Sequence, residues 1–433
     1  MRCGLLGQKL SHSYSPAIHA AFGGYDYELF EVEPQDLASF FAEKNFHGIN
    51  VTIPYKQDAM HYCNELSPAA KQIGSVNTIL KRPNGSLYGD NTDPAGFKKM
   101  LKEILTPEGN APPMPGVKGA VLPCGGLGAA PPRSYSPLGK TIIFGTGGSS
   151  LSVTYVMKEL GAQEIVVVAI ENNKAEFLCG HGDAELLVNC TPTGMYPNPG
   201  RGNPPIQLGY FPQLKGVLDL VYNPARTWLM MDAAERGIPS IGGLAMLVGQ
   251  AAVSSEIFTG QAVTNEAAVL KKLRAKMENI VLIGMPGSGK TTHGKILAEK
   301  LGKKFVDTDE EIIREDGRTI PEIFETEGEA GFRAKETAVI SRIGKESGLV
   351  IATGGGCITR EENYRPLHQN GTIIFTERDV ATLHRQGRPL SQGDLSTLHQ
   401  TRLPLYNRFA DTTINANGGP DTVVRRILEV LKD

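Results

Sequence analysis

Short apolar runs alternate with amphipathic stretches in three successive parts of the chain. From Cys3 to about Leu105, β-like runs such as GINVTI and SVNTIL alternate with helical stretches such as PQDLASFFAEK. A second unit opens with the strand pattern KTIIF at 140–144 and ends in the helical stretch GGLAMLVGQAAVSSEIF. A third opens with the buried-strand pattern NIVLIG at 279–284. Because strands and helices alternate throughout, the pattern predicts an α/β fold.

Two connecting segments separate these units. Residues 106–139 are crowded with Pro and Gly, as in PCGGLGAAPPRSYSPLG, so neither a helix nor a strand should persist there and we predict a linker or an insertion. Residues 266–278, EAAVLKKLRAKME, are rich in helix formers and are predicted to be helical. The predicted domains are 1–105, completed by helices within 241–262, then 140–240 and 279–433, with a helical linker over 263–278.

Composition narrows the class of partner. The 433 residues include 44 Lys and Arg against 46 Asp and Glu, with no long run of one sign, so we expect small-molecule partners and neither nucleic acid nor a membrane. The six cysteines lack CxxC or CxxH spacing, which speaks against a zinc site or a disulfide framework. Without a signal-peptide pattern or an apolar run of about 18 residues, a cytoplasmic location is expected. A homo-oligomer stays open.

A phosphate-binding loop lies at 284–292, GMPGSGKTT. Gly284-x-x-x-x-Gly289-Lys290-Thr291 follows an apolar strand and precedes a helix pattern, the context that a P-loop requires. Backbone N–H groups would cradle the phosphates, Lys290 would neutralise the outer ones, and the Thr291 hydroxyl could bind Mg²⁺. ATP or GTP is therefore expected. The predicted nucleotide-binding residues are Gly284, Gly287, Ser288, Gly289, Thr291 and Thr292.

Five motifs follow the P-loop in order. They are FVDTD at 305–309, FRAKE at 332–336, ATGGG at 352–356, GRPL at 387–390 and TRLPLY at 401–406. With them, residues 279–433 resemble shikimate kinase. The resemblance implies that Asp307 assists Mg²⁺, that Asp309 holds shikimate hydroxyls, and that Arg333 and Arg402 clamp the shikimate carboxylate. It further implies substrate contacts at Gly354, Gly355 and Gly356, and a lid arginine, Arg388, at the nucleotide.

These residue types suit a phosphoryl transfer to a hydroxyl acid. The fork of an arginine grips a planar carboxylate, and a carboxylate can orient an attacking hydroxyl and accept its proton, which makes Asp309 the candidate base. Lys290, Mg²⁺ and Arg388 would neutralise charge during the transfer. Taken alone, Arg333 or Arg402 would more often form a surface ion pair, and three glycines could be only a tight turn. FVDTD is expected to place both aspartates at a strand end.

Seven blocks in the front of the chain carry a second resemblance. They are GLLGQKLSHSYSPAIH near the start, NVTIPYK at 50–56, GSVNT at 74–78, GDNTDPAGF at 89–97, NCTPTGM at 189–195, DLVYNP at 219–224 and GGLAMLVGQAA at 242–252. With them, residues 4 to about 260 resemble shikimate dehydrogenase. The resemblance implies that Ser13 and Ser15 bind the substrate carboxylate, that Thr52, Asn77 and Gln250 contact hydroxyls, that Tyr222 lies nearby, and that Lys56 and Asp93 form the catalytic pair.

The pair has a chemical rationale. Reduction of a ketone by a hydride leaves an alkoxide that needs a proton, so an ammonium beside the carbonyl is useful and Lys56 can be that donor. Asp93 would orient Lys56. A lone lysine in a loop is more often a solvated charge, and Ser13 and Ser15 could equally be turn or helix-cap residues.

The glycine loop GTGGSS at 145–150 is where a dinucleotide should dock, because it follows KTIIF and leads into a helix. The predicted contacts are Gly145, Gly147, Gly148 and Ser149. Shikimate dehydrogenases usually continue with an arginine that holds the NADP 2′-phosphate, whereas Glu171 stands near the end of the next strand here. An acid there favours the unphosphorylated ribose of NAD, with a surface glutamate as the alternative, so NADP or NAD stays open.

The two resemblances together predict the architecture and the function. The fold is predicted to be α/β: a shikimate dehydrogenase-like substrate domain and a Rossmann-like dinucleotide domain, then a P-loop NTPase domain with a nucleoside-kinase-like parallel sheet. The predicted function is NAD(P)H-dependent reduction of 3-dehydroshikimate to shikimate, then ATP-dependent phosphorylation to shikimate 3-phosphate, two steps of aromatic amino acid biosynthesis. Two alternatives stay open: a front half that binds shikimate without catalysis, or one that acts on quinate.

Overall fold

The computed structural model describes residues 1–10, 13–105, 138–169, 178–198, 206–383 and 395–431. These residues form three sheets, each packed against helices. Most of the predicted insertion at 106–139 lies outside the described residues. Within the described part of the chain, no helix combines the length and the apolar character that a membrane span needs.

The first sheet is mixed. Its strand order is β2-β1-β3-β5-β6-β4, and β5 runs antiparallel to both neighbours, β3 and β6. The strands are β1 Arg2–Gly7, β2 Asp26–Glu31, β3 Gly48–Val51, β4 Glu65–Leu66, β5 Thr78–Lys81 and β6 Leu87–Asp90. The helices of this part are α1 Ser15–Phe22, α2 Leu37–Glu43, α3 Pro68–Ile73 and α4 Asp93–Leu105. Every residue of β3 is buried, so its end is a fixed point for the residues that follow it.

The second sheet is parallel, with strand order β11-β10-β9-β7-β8. Its strands are β7 Lys140–Phe144, β8 Glu164–Val168, β9 Leu186–Asn189, β10 Gly216–Asp219 and β11 Ser240–Gly242. Helices α5 Gly148–Glu159 and α6 Trp228–Glu235 accompany it, and α7 Leu244–Thr259 packs against α4. That packing needs Gly96, because a Cβ there would lie 2.4 Å from the carbonyl oxygen of Met246.

The third sheet is also parallel, with strand order β13-β14-β12-β15-β16. Its strands are β12 Asn279–Ile283, β13 Lys304–Asp307, β14 Leu349–Ala352, β15 Gly371–Glu377 and β16 Thr412–Asn415. The helix predicted over 266–278 is α8 Glu266–Met277. The others are α9 Lys290–Leu301, α10 Thr308–Asp316, α11 Ile320–Ile343, α12 Tyr364–His368, α13 Leu395–Phe409 and α14 Pro420–Val430. Helix α11 is interrupted at Gly328, whose φ is 69°.

Two candidate active sites

The centre of the front site is an ion pair. Nζ of Lys56, which follows β3, lies 2.6 Å from Oδ2 of Asp93, the first residue of α4. The two side chains are 15% and 7% exposed. The ammonium is therefore held in a fixed position at the end of a buried strand while part of it still meets solvent.

Asn77 links this pair to Gln250. Its Nδ2 donates to Oδ1 of Asp93 at 2.7 Å and to Oε1 of Gln250 at 3.3 Å. Its Oδ1 accepts a 2.7 Å hydrogen bond from the backbone N–H of Thr92. Because that bond fixes which end of the amide faces Asp93, Asn77 must present a donor to the carboxylate. Four residues predicted from separate blocks thus form one hydrogen-bonded group.

A deeper polar layer supports this group and was not predicted. Nδ2 of Asn50 donates to Oγ of Ser254 at 2.8 Å and to Oγ1 of Thr78 at 3.1 Å, and all three side chains are buried. Oγ of Ser254 and Oγ1 of Thr92 lie 3.1 Å apart. The signal in the sequence was a polar residue inside the apolar helix GLAMLVGQAAVSSEIF, since a buried hydroxyl needs a partner.

Ser13 and Ser15 lie at the start of α1. Oγ of Ser13 accepts a 3.2 Å hydrogen bond from the backbone N–H of Ser15, which is a local turn contact. The ring of Tyr14 meets the ring of Tyr222 edge to face, with centroids 5.9 Å apart. Tyr222 therefore lies beside the serine turn. The backbone N–H of Thr52 bonds to the carbonyl of Leu6 at 2.9 Å, next to the end of β1.

Asp219 fixes the turn that carries Tyr222. Its carboxylate accepts hydrogen bonds from Thr227 Oγ1 at 2.6 Å, from Asn189 Nδ2 at 2.9 Å and from the N–H of Val221 at 3.0 Å. Complete burial raises the pKa of Asp219 to about 6, and the three donors oppose that rise. The pKa of Tyr222 is also raised, mainly by burial.

The glycine loop after β7 reaches the lysine. A Cβ on Gly148, the first residue of α5, would lie 3.4 Å from Cδ of Lys56, so the helix N-terminus borders the Lys56–Asp93 pair. Gly145 has φ +106°, and a Cβ there would lie 3.2 Å from the carbonyl carbon of Cys190. Gly147 has open space around its Cα, and Ser149 is in the first turn of α5. Glu171 lies outside the described residues.

The P-loop of the back site has the conformation that glycine allows. Gly284, Gly287 and Gly289 have φ values of 148°, 83° and 94°. Nζ of Lys290 donates to the carbonyls of Gly284 at 2.8 Å and Met285 at 2.9 Å, so it lies across the mouth of the loop. Ser288 is buried within the loop, whereas Thr292 is exposed at the first turn of α9.

A hydroxyl and a carboxylate meet beside Lys290. Oγ1 of Thr291 donates a 2.7 Å hydrogen bond to Oδ2 of Asp307, the last residue of β13. Oδ1 of Asp307 accepts from the N–H of Asp309 at 3.0 Å and so caps α10. The expectation that both aspartates sit at a strand end is corrected here: Asp309 is in the first turn of α10, because the cap at Asp307 starts the helix at Thr308.

The glycines after β14 open a space lined by charged groups. A Cβ on Gly354 would lie 2.6 Å from Oε1 of Glu336 and 2.8 Å from Oδ1 of Asp309. A Cβ on Gly356 would lie 2.1 Å from Nη2 of Arg333. Nη1 of Arg333 donates to Oε2 of Glu336 at 2.7 Å. The glycines are thus required by close approach to three side chains.

Arg402 completes this side of the site. Its Nη1 donates to the carbonyl of Gly355 at 3.1 Å, and the hydroxyl of Tyr406 donates to the same carbonyl at 2.5 Å. Arg333 and Arg402 are 4% and 5% exposed, so both guanidinium groups are buried, unlike those of most surface ion pairs. Burial raises the pKa of Glu336, although Arg333 lowers it. Glu336 and Tyr406 had no assigned role in the sequence prediction, and Arg388 lies outside the described residues.

Comparison with known proteins finds relatives for both parts of the chain. The sequence model of the shikimate dehydrogenase substrate binding domain matches residues 5–79, and that of shikimate kinase matches residues 286–432. Shikimate dehydrogenase (NADP(+)) of Methanopyrus kandleri is 33% identical over 307 residues, which cover 63% of this chain and 95% of that protein.

Two solved structures are similar to the two halves. Shikimate 5-dehydrogenase from Thermus thermophilus, in complex with NADP(H) and shikimate, is 27% identical with a TM-score of 0.51 and covers 63% of this chain and 98% of its own. Shikimate kinase from Acinetobacter baumannii, in complex with shikimate, is 41% identical with a TM-score of 0.36 and covers 37% of this chain and 96% of its own. The chain belongs to the shikimate dehydrogenase family in its front part, its back part matches the shikimate kinase model, and it is a dehydrogenase/kinase fusion enzyme of the shikimate pathway.

Proposed function

We propose that the front site reduces 3-dehydroshikimate to shikimate and that the back site phosphorylates shikimate to shikimate 3-phosphate. The observation that carries the first reaction is the position of the Lys56–Asp93 pair against Gly148 of the glycine loop. A proton donor next to a helix N-terminus that can bind a dinucleotide is what a ketone reduction needs.

In the front reaction, the glycine loop at residues 145–149 would hold a nicotinamide dinucleotide, which would supply the hydride for reduction of the substrate carbonyl. Lys56 gives a proton from Nζ to the oxygen that becomes the alcohol, and Asp93 keeps the resulting amine in place. Asn77 and Gln250 hold neighbouring hydroxyls, and Ser13 and Ser15 bind the carboxylate. The reverse oxidation returns the proton to the neutral amine of Lys56.

NADP(H) is the proposed dinucleotide. The relative from Methanopyrus kandleri is named for NADP(+), and the Thermus thermophilus enzyme was solved with NADP(H), which supports this choice. The space around Gly147 fits a pyrophosphate, because backbone N–H groups at a helix N-terminus attract anions and, among the described residues beyond its chain neighbours, no atom lies within 4 Å of a Cβ on Gly147. The alternative preference for NAD, suggested by Glu171, is decided by comparing the two cofactors.

In the back reaction, the substrate hydroxyl attacks the γ-phosphorus of ATP and the bond to the leaving ADP breaks. Asp309 accepts the hydroxyl proton, while Arg333 and Arg402 bind the carboxylate of shikimate. Lys290 exchanges its contacts with the loop carbonyls for contacts with the outer phosphates. The lack of a side chain at Gly354 lets Asp309 and Glu336 both approach the backbone there, which supports the proposed position of Asp309 beside the substrate.

Thr291 and Asp307 are the residues that would hold Mg²⁺. Their two oxygens lie 2.7 Å apart, and hydroxyl and carboxylate oxygens are ligands that this ion prefers. The ion neutralises phosphate charge when it is bound with ATP. Residues on the protein side supply only two ligands, as is usual where phosphates and waters complete the shell.

The test measures both reactions on the full chain. Lys56→Ala should abolish NADPH consumption with 3-dehydroshikimate and leave ADP formation from shikimate unchanged, whereas Asp309→Asn should do the opposite. NADH and quinate assays run beside NADPH and shikimate decide cofactor and substrate. A wild-type chain that phosphorylates shikimate but consumes neither reduced cofactor contradicts the dehydrogenase proposal and favours a front half that only binds.

A further inference from the structure

The turn after Tyr222 is bonded directly to the kinase half. The backbone N–H of Ala225 donates to Oδ1 of Asn370 at 2.8 Å, and that of Arg226 donates to the carbonyl of Gln369 at 2.8 Å. Both donors are main-chain groups, so the contact fixes the path of the turn itself. A hydrogen bond donated by a side chain of the turn would constrain the backbone of the turn less.

The side chain of Arg226 reinforces this contact. Its Nη1 donates to the carbonyls of His368 at 2.7 Å and Gly371 at 2.9 Å. In α6, which follows the turn, Asp232 forms an ion pair with Arg365 of the kinase half. The guanidinium of Arg365 also lies 5.4 Å from the ring centroid of Trp228. The interface therefore runs from the turn into α6.

The surface that receives the turn is the amino edge of the kinase sheet. Nδ2 of Asn370 lies 3.3 Å from the carbonyls of Gly344 and Glu346. The backbone carbonyl of Asn370 accepts a 2.7 Å hydrogen bond from the N–H of Asn279. Asn279 and Gly371 are the first residues of β12 and β15. The side-chain amide of Asn370 is held by the carbonyls of Gly344 and Glu346 and its main chain is bonded to the start of β12, so its Oδ1 is a fixed acceptor for Ala225.

A second contact reaches the serine turn. The hydroxyl of Tyr14, between Ser13 and Ser15, lies 3.2 Å from Oγ of Ser347 in the segment before β14. The rings of Tyr14 and Tyr222 touch each other. The kinase half thus contacts Tyr14 directly, and it contacts the turn that follows Tyr222 through Ala225 and Arg226.

The P-loop lies at the opposite edge of the kinase sheet from these contacts. The P-loop follows the carboxyl end of β12, whereas the interface lies at its amino end, five residues earlier. At about 3.3 Å per residue, the strand separates them by roughly 16 Å of sheet. The contact consequently couples the two halves through the backbone and does not join their substrate spaces.

We propose that the kinase half is a structural part of the dehydrogenase substrate site. Arg226, Asn370 and Ser347 are positioning residues: they hold Tyr222 and Tyr14 against the substrate carboxylate region, while Asp219 holds the other end of the turn. The proposal rests on the proposed dehydrogenase function. Loss of the contact lets the turn move and weakens binding of 3-dehydroshikimate and shikimate more than it slows the chemical step.

The kinetic test uses Arg226→Ala, Arg226→Lys and a matched control, Arg236→Ala, which removes an exposed arginine just beyond α6. Arg226→Ala should raise KM for 3-dehydroshikimate about three- to tenfold, the effect of one or two hydrogen bonds, with a smaller change in kcat. KM for NADPH and both kinase constants should stay the same. Arg226→Lys should recover part of the loss, and Arg236→Ala should match the wild type.

Hydrogen exchange tests the proposal without turnover. The peptide around residues 219–228 should exchange faster in Arg226→Ala, and more shikimate should be needed to half-protect it than in the wild type. If faster exchange leaves both the half-protecting concentration and KM unchanged, the contact exists but does not position the site, and the proposal is overturned. Unchanged exchange overturns it as well. If the wild-type chain consumes no NADPH, but Arg226→Ala still needs more shikimate for half-protection than the wild type does, only the dehydrogenase proposal fails.

Discussion

Nη1 of Arg333 donates a 2.7 Å hydrogen bond to Oε2 of Glu336, and both side chains are buried. Nη2 of Arg333 also meets the more exposed carboxylate of Glu329 at 3.2 Å. The arginine proposed to bind shikimate is thus oriented by a carboxylate that solvent does not screen. Such a pair fixes the guanidinium plane, which a bidentate contact to a carboxylate needs.

Removing one member of this pair should cost more than removing both. Arg333→Met leaves Glu336 buried without its partner, and we expect a loss of about 3–5 kcal/mol in the free energy of unfolding at pH 8. Arg333→Met combined with Glu336→Leu should lose less, because no charge stays buried. Urea denaturation of both variants measures the difference. Equal losses would show that the carboxylate is already neutral or hydrated.

Gly354→Ala should disable the kinase selectively. The new methyl group would fall 2.6 Å from Oε1 of Glu336 and 2.8 Å from Oδ1 of Asp309, so the proposed base must move. A displacement of about 1 Å at a catalytic group can cost on the order of 100-fold in rate, and we expect that loss in kcat for ADP formation. Gly419→Ala is the control, since no atom lies within 4 Å of a Cβ there. NADPH oxidation should be the same in both, and a fully active Gly354→Ala chain contradicts the role of Asp309.

Ser254→Ala should lower dehydrogenase activity by disrupting the buried polar layer that supports the site. It removes a buried partner of Asn50 and Thr92, and we expect a loss of about 1–3 kcal/mol in unfolding free energy with a several-fold lower kcat/KM for 3-dehydroshikimate. Ser255→Ala is the matched control, because it removes a buried serine of the same helix that lies near Tyr25 instead. If the two variants lower kcat/KM equally, the network does not act on the catalytic pair.

The residues that could be predicted are those whose position depends on neighbours in the chain. Lys290 follows a strand, a glycine turn and a helix start, so its place at the phosphates is set locally. Lys56 and Asp93 were paired by resemblance, and the structure brings their side chains together. The proposed roles of all these residues stay predictions until the variants are measured.

The residues that were missed depend on packing between distant segments. Arg226 is one polar residue in an ordinary turn, and only the docking of the turn on the kinase half gives it partners, with His368 lying 142 positions later in the chain. Ser254 shows in sequence as a hydroxyl in an apolar helix, which indicates that a partner exists without saying which. Glu336 is equally ambiguous, since a glutamate on a helix is usually solvated.

A buried histidine and a buried aspartate lie close to Arg226. Nε2 of His368 is 3.4 Å from Oδ1 of Asp411, and the two side chains are 2% and 1% exposed. Burial, together with the charge of Arg226, lowers the pKa of His368 to about 3, so the imidazole is neutral at pH 7. Burial raises the pKa of Asp411 to about 7, although the N–H of Ile373 opposes the rise.

The two shifts should have opposite effects on stability. Between about pH 4 and 7 the folded chain keeps a proton on Asp411 that the unfolded chain has lost, so stability falls as the pH rises. Between about pH 3 and 6.5 the unfolded chain carries a proton on His368 that the folded chain lacks, so stability rises with pH. From about pH 4 to 6.5 the two slopes should therefore cancel in the wild type.

Asp411→Asn should reveal the rise in stability with pH that His368 causes. It removes the titration and keeps an oxygen for the N–H of Ile373, so the variant should gain about 1.4 kcal/mol of stability per pH unit, relative to the wild type, between about pH 4.5 and 6. His368→Gln should show the opposite difference, losing about the same amount per unit. Because each comparison is variant minus wild type across the same pH range, other titrating groups drop out. Denaturant titrations at several pH values measure the difference, and two flat difference curves would show that the pair titrates alike in both states.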